Sequence, residues 1–406
     1  MNIAVAQSGG PTCAINASLL GVFKGAIKSK DIDIVFGSLN GIEGVINDDF
    51  IILNELITTY MDMECIRQTP STLLNSCRYK LPDMEENEEV YQKIAATLTF
   101  HGCGAFFYIG GNDSMDTVNK LSVYFKKNNI DIKVIGIPKT IDNDLAITDH
   151  TPGFGSAAKY VATTVQEIVR DCSVYSIPSV TIVEIMGRDT GWLTASSAVL
   201  RANGEVAPHL IYLPEARFSV QSFLSDVRRV MQSRRAVVIA VSEGIEIDQN
   251  DIDFEYQNGA VDNFGHKYLS GVGKCLENIV RKEIKCKVRS IELNIMQRCS
   301  SHISSKTDIE EAERIGTEAV DTALSGQTGK VMVFERVSNT PYAVVIKSVN
   351  ANEVANKVRY FPTEWINAQG NNVTDKAVKY VLPLIQGEQD IHYKNGIPMH
   401  FKKVGY

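Results

Sequence analysis

Short runs rich in Val and Ile alternate with longer stretches whose apolar residues recur at helical spacing, and this alternation limits the fold more than any other feature. The strand candidates are "IAVAQ" (3–7), "IDIVFGS" (32–38), "AFFYIGG" (105–111), "IKVIGIP" (132–138), "VTIVEIMG" (180–187), "AVVIAVSEG" (236–244), "RSIELN" (289–294), "KVMVFERV" (330–337) and "YAVVIKSV" (342–349). Most are continuously apolar, as strands buried on both faces must be. Helical patterns lie between them, at 14–29, 89–101, 114–128, 155–171, 191–203, 220–233, 267–284, 308–325 and 374–384. Strand followed by helix, repeated, gives an α/β chain of mostly parallel sheets with crossover helices. At 406 residues it reads as two or three domains or one two-lobed unit. The polar stretch 246–267 is the best candidate for an excursion or hinge.

In such sheets ligands bind beyond the carboxyl ends of the strands. Five strand ends carry Gly, hydroxyl or charge: "SGGPT" (8–12), "GGNDS" (110–114), "PKTIDND" (138–144), "MGRDTGW" (186–192) and "SEG" (242–244). The first two, with Gly9, Gly10 and Gly111, each run strand, Gly-Gly turn, helix start. Such a turn either only reverses the chain or lets a phosphate approach the backbone at a helix N-terminus. Ser114 is placed to cap the second helix. Neither site has dinucleotide-fingerprint spacing, and "GVGKC" (271–275) lacks the first P-loop glycine.

"GIPKTIDNDLAITDH" is the richest stretch, with Asp142, Asp144 and Asp149 close to Lys139. One carboxylate at a strand end can take a proton from a hydroxyl while a second helps hold Mg²⁺; the alternative is a solvated acidic loop. Arg188 follows a buried strand and suits a phosphate, or it pairs with Asp189. Glu243 ends another strand. Arg78, Arg289 and Arg298 together supply the charge that a doubly phosphorylated site needs. They must do so locally, because the formal net charge is −7, which offers no field for nucleic acid. No apolar run is long enough to span a membrane. The start "MNIAVAQSGG" has too short an apolar stretch and no basic lead for a signal peptide. The eight cysteines contain no Cys-x-x-Cys pair, and the expectation is free thiols in the cytoplasm.

"GGNDS", "PKTIDND", "MGR" and "QR" occur in this order, and with them the sequence resembles the 6-phosphofructokinase family, most closely its pyrophosphate-using branch. The resemblance runs from "AVAQSGGPT" to about "GKVMVFER". It implies two Rossmann-like lobes with the active site in the cleft between them. By its motifs it assigns 1–145 plus about 265–325 to a phosphoryl-donor lobe. It assigns about 146–264 plus 326–406 to a sugar-phosphate lobe with a C-terminal extension. It implies Asp142 as the base for the C1 hydroxyl of fructose 6-phosphate, Thr140 against the sugar phosphate, and Met186, Gly187 and Arg188 around it. Glu243 falls to the sugar hydroxyls, and Arg298, with Arg289 from a neighbouring subunit, to the 6-phosphate. Gly9, Gly10, Arg78, Gly111, Asp113, Ser114 and Lys139 fall to the donor, and Asn112 and Asp144 to Mg²⁺. The family pattern usually has Asp at the position of Asn112 and His or Tyr at that of Ile295. ATP-using members resemble "GGDGS" and "PGTIDND", with glycine where this chain has Asp113 and Lys139. Asp113 would then repel a nucleotide and Lys139 would neutralise pyrophosphate, specificity through an added repulsive element. The implied activity is a Mg²⁺-dependent, reversible phosphoryl transfer from pyrophosphate in glycolysis and gluconeogenesis, by a homodimer or homotetramer. The rivals are an ATP-dependent phosphofructokinase and a non-catalytic regulatory subunit that binds sugar phosphate.

Overall fold

The computed structural model of the chain describes residues 1–247 and 271–402. The expected hinge at 246–267 falls almost entirely outside them. The strands are β1 (Asn2–Gln7), β2 (Val35–Ser38), β3 (Phe50–Ile52), β4 (Cys103–Gly110), β5 (Lys133–Pro138), β6 (Ser179–Ile185), β7 (Leu210–Tyr212), β8 (Ala236–Ser242), β9 (Lys287–Glu292), β10 (Lys330–Asn339) and β11 (Tyr342–Asn350). A seven-stranded sheet has the order β11-β10-β5-β4-β1-β2-β3, and a four-stranded sheet the order β7-β8-β6-β9. Within these two sheets all pairs are parallel except β2–β3 and β10–β11, which are antiparallel. The expected α/β architecture with mostly parallel sheets is the one observed.

Helices cover both faces of the larger sheet, which explains why its central strands read as unbroken apolar runs. Ile3, Val5, Phe107 and Ile135 pack beneath the helices Ile15–Lys28 and Lys306–Leu324. Phe106, Tyr108 and Val134 face Glu88–Phe100 and Asn112–Lys127 on the other side. The first pair of helices crosses at two glycines. A Cβ on Gly21 would sit 2.0 Å from the Glu313 carbonyl, and one on Gly316 2.2 Å from that of Ser18.

Register brings the strand ends level. Gln7 pairs with Ile109 and Gly110 with Pro138, so "SGGPT", "GGNDS" and "PKTIDND" emerge side by side. In the smaller sheet Ile185 pairs with Ser242, which sets "MGR" beside "SEG".

Two parts of the expected lobe boundaries do not match the sheets. β9, within 265–325, pairs with β6 and so joins the smaller sheet. β10 and β11, within 326–406, extend the larger sheet by pairing with β5. The chain therefore returns to the larger sheet after β9 rather than before it, and one edge of each sheet is completed by a late strand, β9 or β11. The eight cysteines are free. Among the described residues no helix is long and apolar enough to cross a membrane.

Candidate active site

The turns after β1, β4 and β5 face those after β6 and β8 across a cavity of about 360 Å³. Its wall includes Gly9, Gly10, Arg78, Gly111, Asn112, Asp113 and Ser114 on one side, with Lys139, Thr140, Asp142 and Asp144 between. Met186, Arg188, Glu243 and Arg298 complete the opposite side. Residues spread over 290 positions of sequence thus meet at one place. Gly187 contributes backbone: its N–H donates to Glu243 Oε1 at 3.2 Å and its carbonyl accepts from Ser242 Oγ at 2.6 Å. A Cβ on Gly244 would lie 1.9 Å from the Arg188 carbonyl, so glycine lets these two loops touch.

Lys139 is almost fully buried, and its ammonium donates to the Gly10 carbonyl at 2.6 Å. That bond ties the end of β5 to the turn after β1. Burial pushes the Lys139 ammonium down to about 8, with Asp142 opposing and Arg298 assisting. The Asp142 backbone is held on both sides: its N–H donates to Thr140 Oγ1 at 3.1 Å, and its carbonyl accepts from Thr190 Oγ1 at 3.1 Å. Burial raises its carboxyl above the usual range; Lys139 pulls it down and Asp189 pushes it up. Burial and the Asp142 charge bring Asp144 up to about 7. Burial lifts Glu243 to about 7 as well, partly offset by the Gly187 N–H. Buried acids near neutrality beside a weakened ammonium are poised for proton transfer and anion binding.

One expectation is corrected. Ser114 does not cap the helix Asn112–Lys127: Gly111 is the capping residue, and the Ser114 hydroxyl instead bonds that of Ser8. Helical geometry begins directly after β4, leaving no room for a later cap. Arg289, expected to act from a neighbouring subunit, lies exposed on edge strand β9, 3.7 Å from Asp171 and outside the cavity of its own chain. Asn112, expected as a metal ligand, has its amide engaged at both ends by backbone. Its Nδ2 donates to the Lys357 carbonyl at 3.0 Å, and its Oδ1 accepts the Asn356 N–H at 2.6 Å. Ile295 is exposed and does not line the cavity.

Asp149 belongs to a different arrangement, pairing with Arg336 at 2.9 Å and His150 at 2.8 Å. The first Gly-Gly turn also differs from the second. The helix after it starts only at Ile15, and Thr12 Oγ1 accepts the Ile15 N–H at 3.0 Å.

Sequence reading missed several contributors. Asp189 lies in a quoted motif but was paired there with Arg188; it lines the cavity near Asp142. Buried Gln7 and Asn16 accept the N–H groups of Leu74 (3.0 Å) and Leu73 (2.9 Å), and Ser76 Oγ donates to the Gly9 carbonyl at 2.7 Å. Together they fix the loop that carries Arg78. Their signal was two amides inside otherwise apolar runs.

Among the described residues no group of three or more His, Cys, Asp or Glu is set to hold a metal. The two oxygen-bearing side chains Asp142 and Asp144 nevertheless suit a hard cation that takes its remaining ligands from phosphate and water. The raised Asp144 carboxyl is a group that such a cation would relieve.

The model of the family described as phosphofructokinase matches residues 2–323. The chain is 38% identical to the pyrophosphate–fructose 6-phosphate 1-phosphotransferase of Xanthomonas campestris, over 98% of this chain and 95% of that one. It is 36% identical to the Halomonas elongata protein of the same name, over 98% and 94%. It is also 33% identical to a sulfofructose kinase from Alkalicoccus urumqiensis, over 86% and 87%. The solved pyrophosphate-dependent phosphofructokinase of Marinobacter aquaeolei superposes with a TM-score of 0.88 at 33% identity, covering 100% of this chain and 96% of that one. The family model stops at 323, whereas these relatives also match the tail. The ordered motifs, the two sheets and the cleft at their facing strand ends agree with that match, and the chain belongs to the phosphofructokinase family.

Proposed function

We propose that the chain transfers a phosphoryl group from pyrophosphate to the C1 hydroxyl of fructose 6-phosphate, giving fructose 1,6-bisphosphate and phosphate. The observation that carries this reading is the charge at the donor end. Asp113 occupies the first turn of the helix Asn112–Lys127 on the cavity wall, and Lys139 is anchored nearby. A helix N-terminus is a ready anion site. A carboxylate placed in that first turn takes up the favourable field and repels the α-phosphate of a nucleotide.

Asp142 accepts the proton of the C1 hydroxyl as the new O–P bond forms and the bond to the bridging oxygen breaks, releasing phosphate. Lys139, with Arg78, offsets the charge of the leaving phosphate. Thr140, Met186, Gly187, Arg188 and Glu243 orient the sugar phosphate, and Arg298 holds the 6-phosphate. Arg289 of a neighbouring copy adds to that phosphate in a homo-oligomer, in keeping with its exposed position on an edge strand. Asp144, with Asp142 beside it, would hold a Mg²⁺, which would supply charge neutralisation to the transferring group. The reaction exchanges the anhydride bond of pyrophosphate for the ester bond at C1 and runs in both directions. Free cysteines throughout are in keeping with action in the cytoplasm.

The test is phosphorylation of fructose 6-phosphate with Mg²⁺ and either pyrophosphate or ATP, on the wild type and on Asp113→Gly. Activity with pyrophosphate alone, shifting toward ATP in the variant, is expected. Wild-type activity with ATP alone would overturn the choice of donor.

A further inference from the structure

The segment 356–361 of the tail is bonded to both lobes. At Asn356 the backbone enters the left-handed region (φ 60°), which turns the Asn356 N–H and the Lys357 carbonyl together onto the amide of Asn112. Asn356 Nδ2 adds a bond to Asp116 at 2.9 Å. Val358 then bridges to Leu145, and the Arg359 N–H donates to the Asp144 carbonyl at 2.7 Å. The Arg359 guanidinium lies 4.3 Å over the Trp192 ring, whose Nε1 donates back to the Arg359 carbonyl at 3.1 Å. Finally the Phe361 N–H donates to Glu215 Oε1, which also accepts the Gly191 N–H, each at 2.9 Å. Asn112 and Asp144 belong to turns of the larger sheet; Trp192 and Glu215 follow β6 and β7 of the smaller one.

We propose that residues 356–361 form a strap that sets the geometry of the donor end of the cavity, and that Asn112 is a positioning residue that latches it. The strap holds the helix start bearing Asp113 at one point and the loop bearing Asp142 and Asp144 at the next. The separation of those groups is therefore fixed by the tail. The latch needs an amide. An aspartate could accept the Asn356 N–H, but its second oxygen would face the Lys357 carbonyl, one acceptor against another. This accounts for asparagine where the family pattern usually has aspartate. The inference rests on the donor reading above, because the end it shapes is the pyrophosphate end.

Asn112→Ala and Asn112→Asp test it against a metal-ligand role. If the latch holds, both variants raise KM for pyrophosphate about tenfold, the loss of one or two backbone bonds, and leave KM for fructose 6-phosphate within about twofold. Hydrogen exchange of peptides covering 351–361 accelerates in both, on protein without substrate. A metal-ligand role predicts the opposite sign for Asn112→Asp, with a lower Mg²⁺ requirement and unchanged exchange. That result would overturn the strap. Exchange needs no turnover, so a wild type inactive with pyrophosphate would defeat the donor reading while exchange still judged the latch.

Discussion

At the residue scale the site is a set of burial-shifted charges, and their directions predict how activity varies with pH. Asp144 and Glu243 are brought up to about 7, and Asp142 is raised by burial. As pH climbs through about 7 Asp144 and Glu243 lose their protons, which frees the oxygens of the proposed metal site. Lys139, lowered to about 8, loses its charge as pH rises further. The expected profile of kcat/KM for pyrophosphate therefore rises through about 7 and falls above about 8. Lys139→Arg keeps the charge and carries the falling limb to higher pH; a limb that stays in place would remove Lys139 from this role. Asp142→Asn keeps the loop's backbone bonds, which involve only main-chain atoms of Asp142. It is expected to lower turnover by about 10²–10⁴-fold, the usual scale for general-base loss, with sugar-phosphate binding retained in calorimetry.

At the element scale, the join between β4 and the helix Asn112–Lys127 depends on one missing side chain. A Cβ on Gly110 would lie 2.0 Å from Ser114 Oγ and 2.5 Å from Ser8 Oγ, inside their hydrogen bond. Gly110→Ala is expected to cost about 1–3 kcal/mol by overpacking, read as a lower Tm. Adding Ser114→Gly should recover part of the loss; no recovery would place the strain elsewhere. Elements of this kind were legible because they are local. β1, β4, β5, β6 and β8 are long and buried, so periodicity reports them, and the chemistry sits one step past their ends. β3 and β7 are three residues each, too short to show a period. The helix Tyr60–Gln68 is mostly polar and rests on a capping box between Thr59 and Asp62. Other supports act over long sequence distances. Asp308 accepts the Gly153 and Ser156 N–H groups at 2.9 and 3.0 Å, so a residue 152 positions away caps the helix Phe154–Ser173. Asn112 engages Lys357 across 245 positions. Neither pairing leaves a trace in any local window, and for that reason the partners of Asn112 and the place of the tail are not legible in the sequence.

At the scale of the whole molecule, one buried cation helps join the lobes. His150 lies between Asp149 and Glu311, 2.8 Å from each, and stacks on Phe334 of β10 at 4.7 Å. Asp149 continues to Arg336, Glu311 to Tyr342 at 2.9 Å, and the Tyr380 hydroxyl to the Asp149 carbonyl. The loop after β5, the helix Lys306–Leu324, the β10–β11 hairpin and the tail thus share one charge cluster. Burial alone would lower the His150 imidazole, but Glu311 and Asp149 outweigh it and lift it to about 9. An unfolded histidine titrates near 6.5, so the folded form holds the proton more tightly. Its stabilisation is complete below about pH 6.5 and disappears as pH rises through about 9; an upper bound is about 3 kcal/mol. Lys139 runs in the opposite sense, because a lysine lowered to about 8 penalises the fold less as pH rises. The useful quantity is therefore the difference in Tm between the wild type and His150→Gln, followed from about pH 7 to about pH 9.5. That difference should shrink steadily as the wild type loses the imidazolium. A difference that stays constant over the window would mean that His150 is neutral in the folded protein and that the lobes are joined here by hydrogen bonds alone.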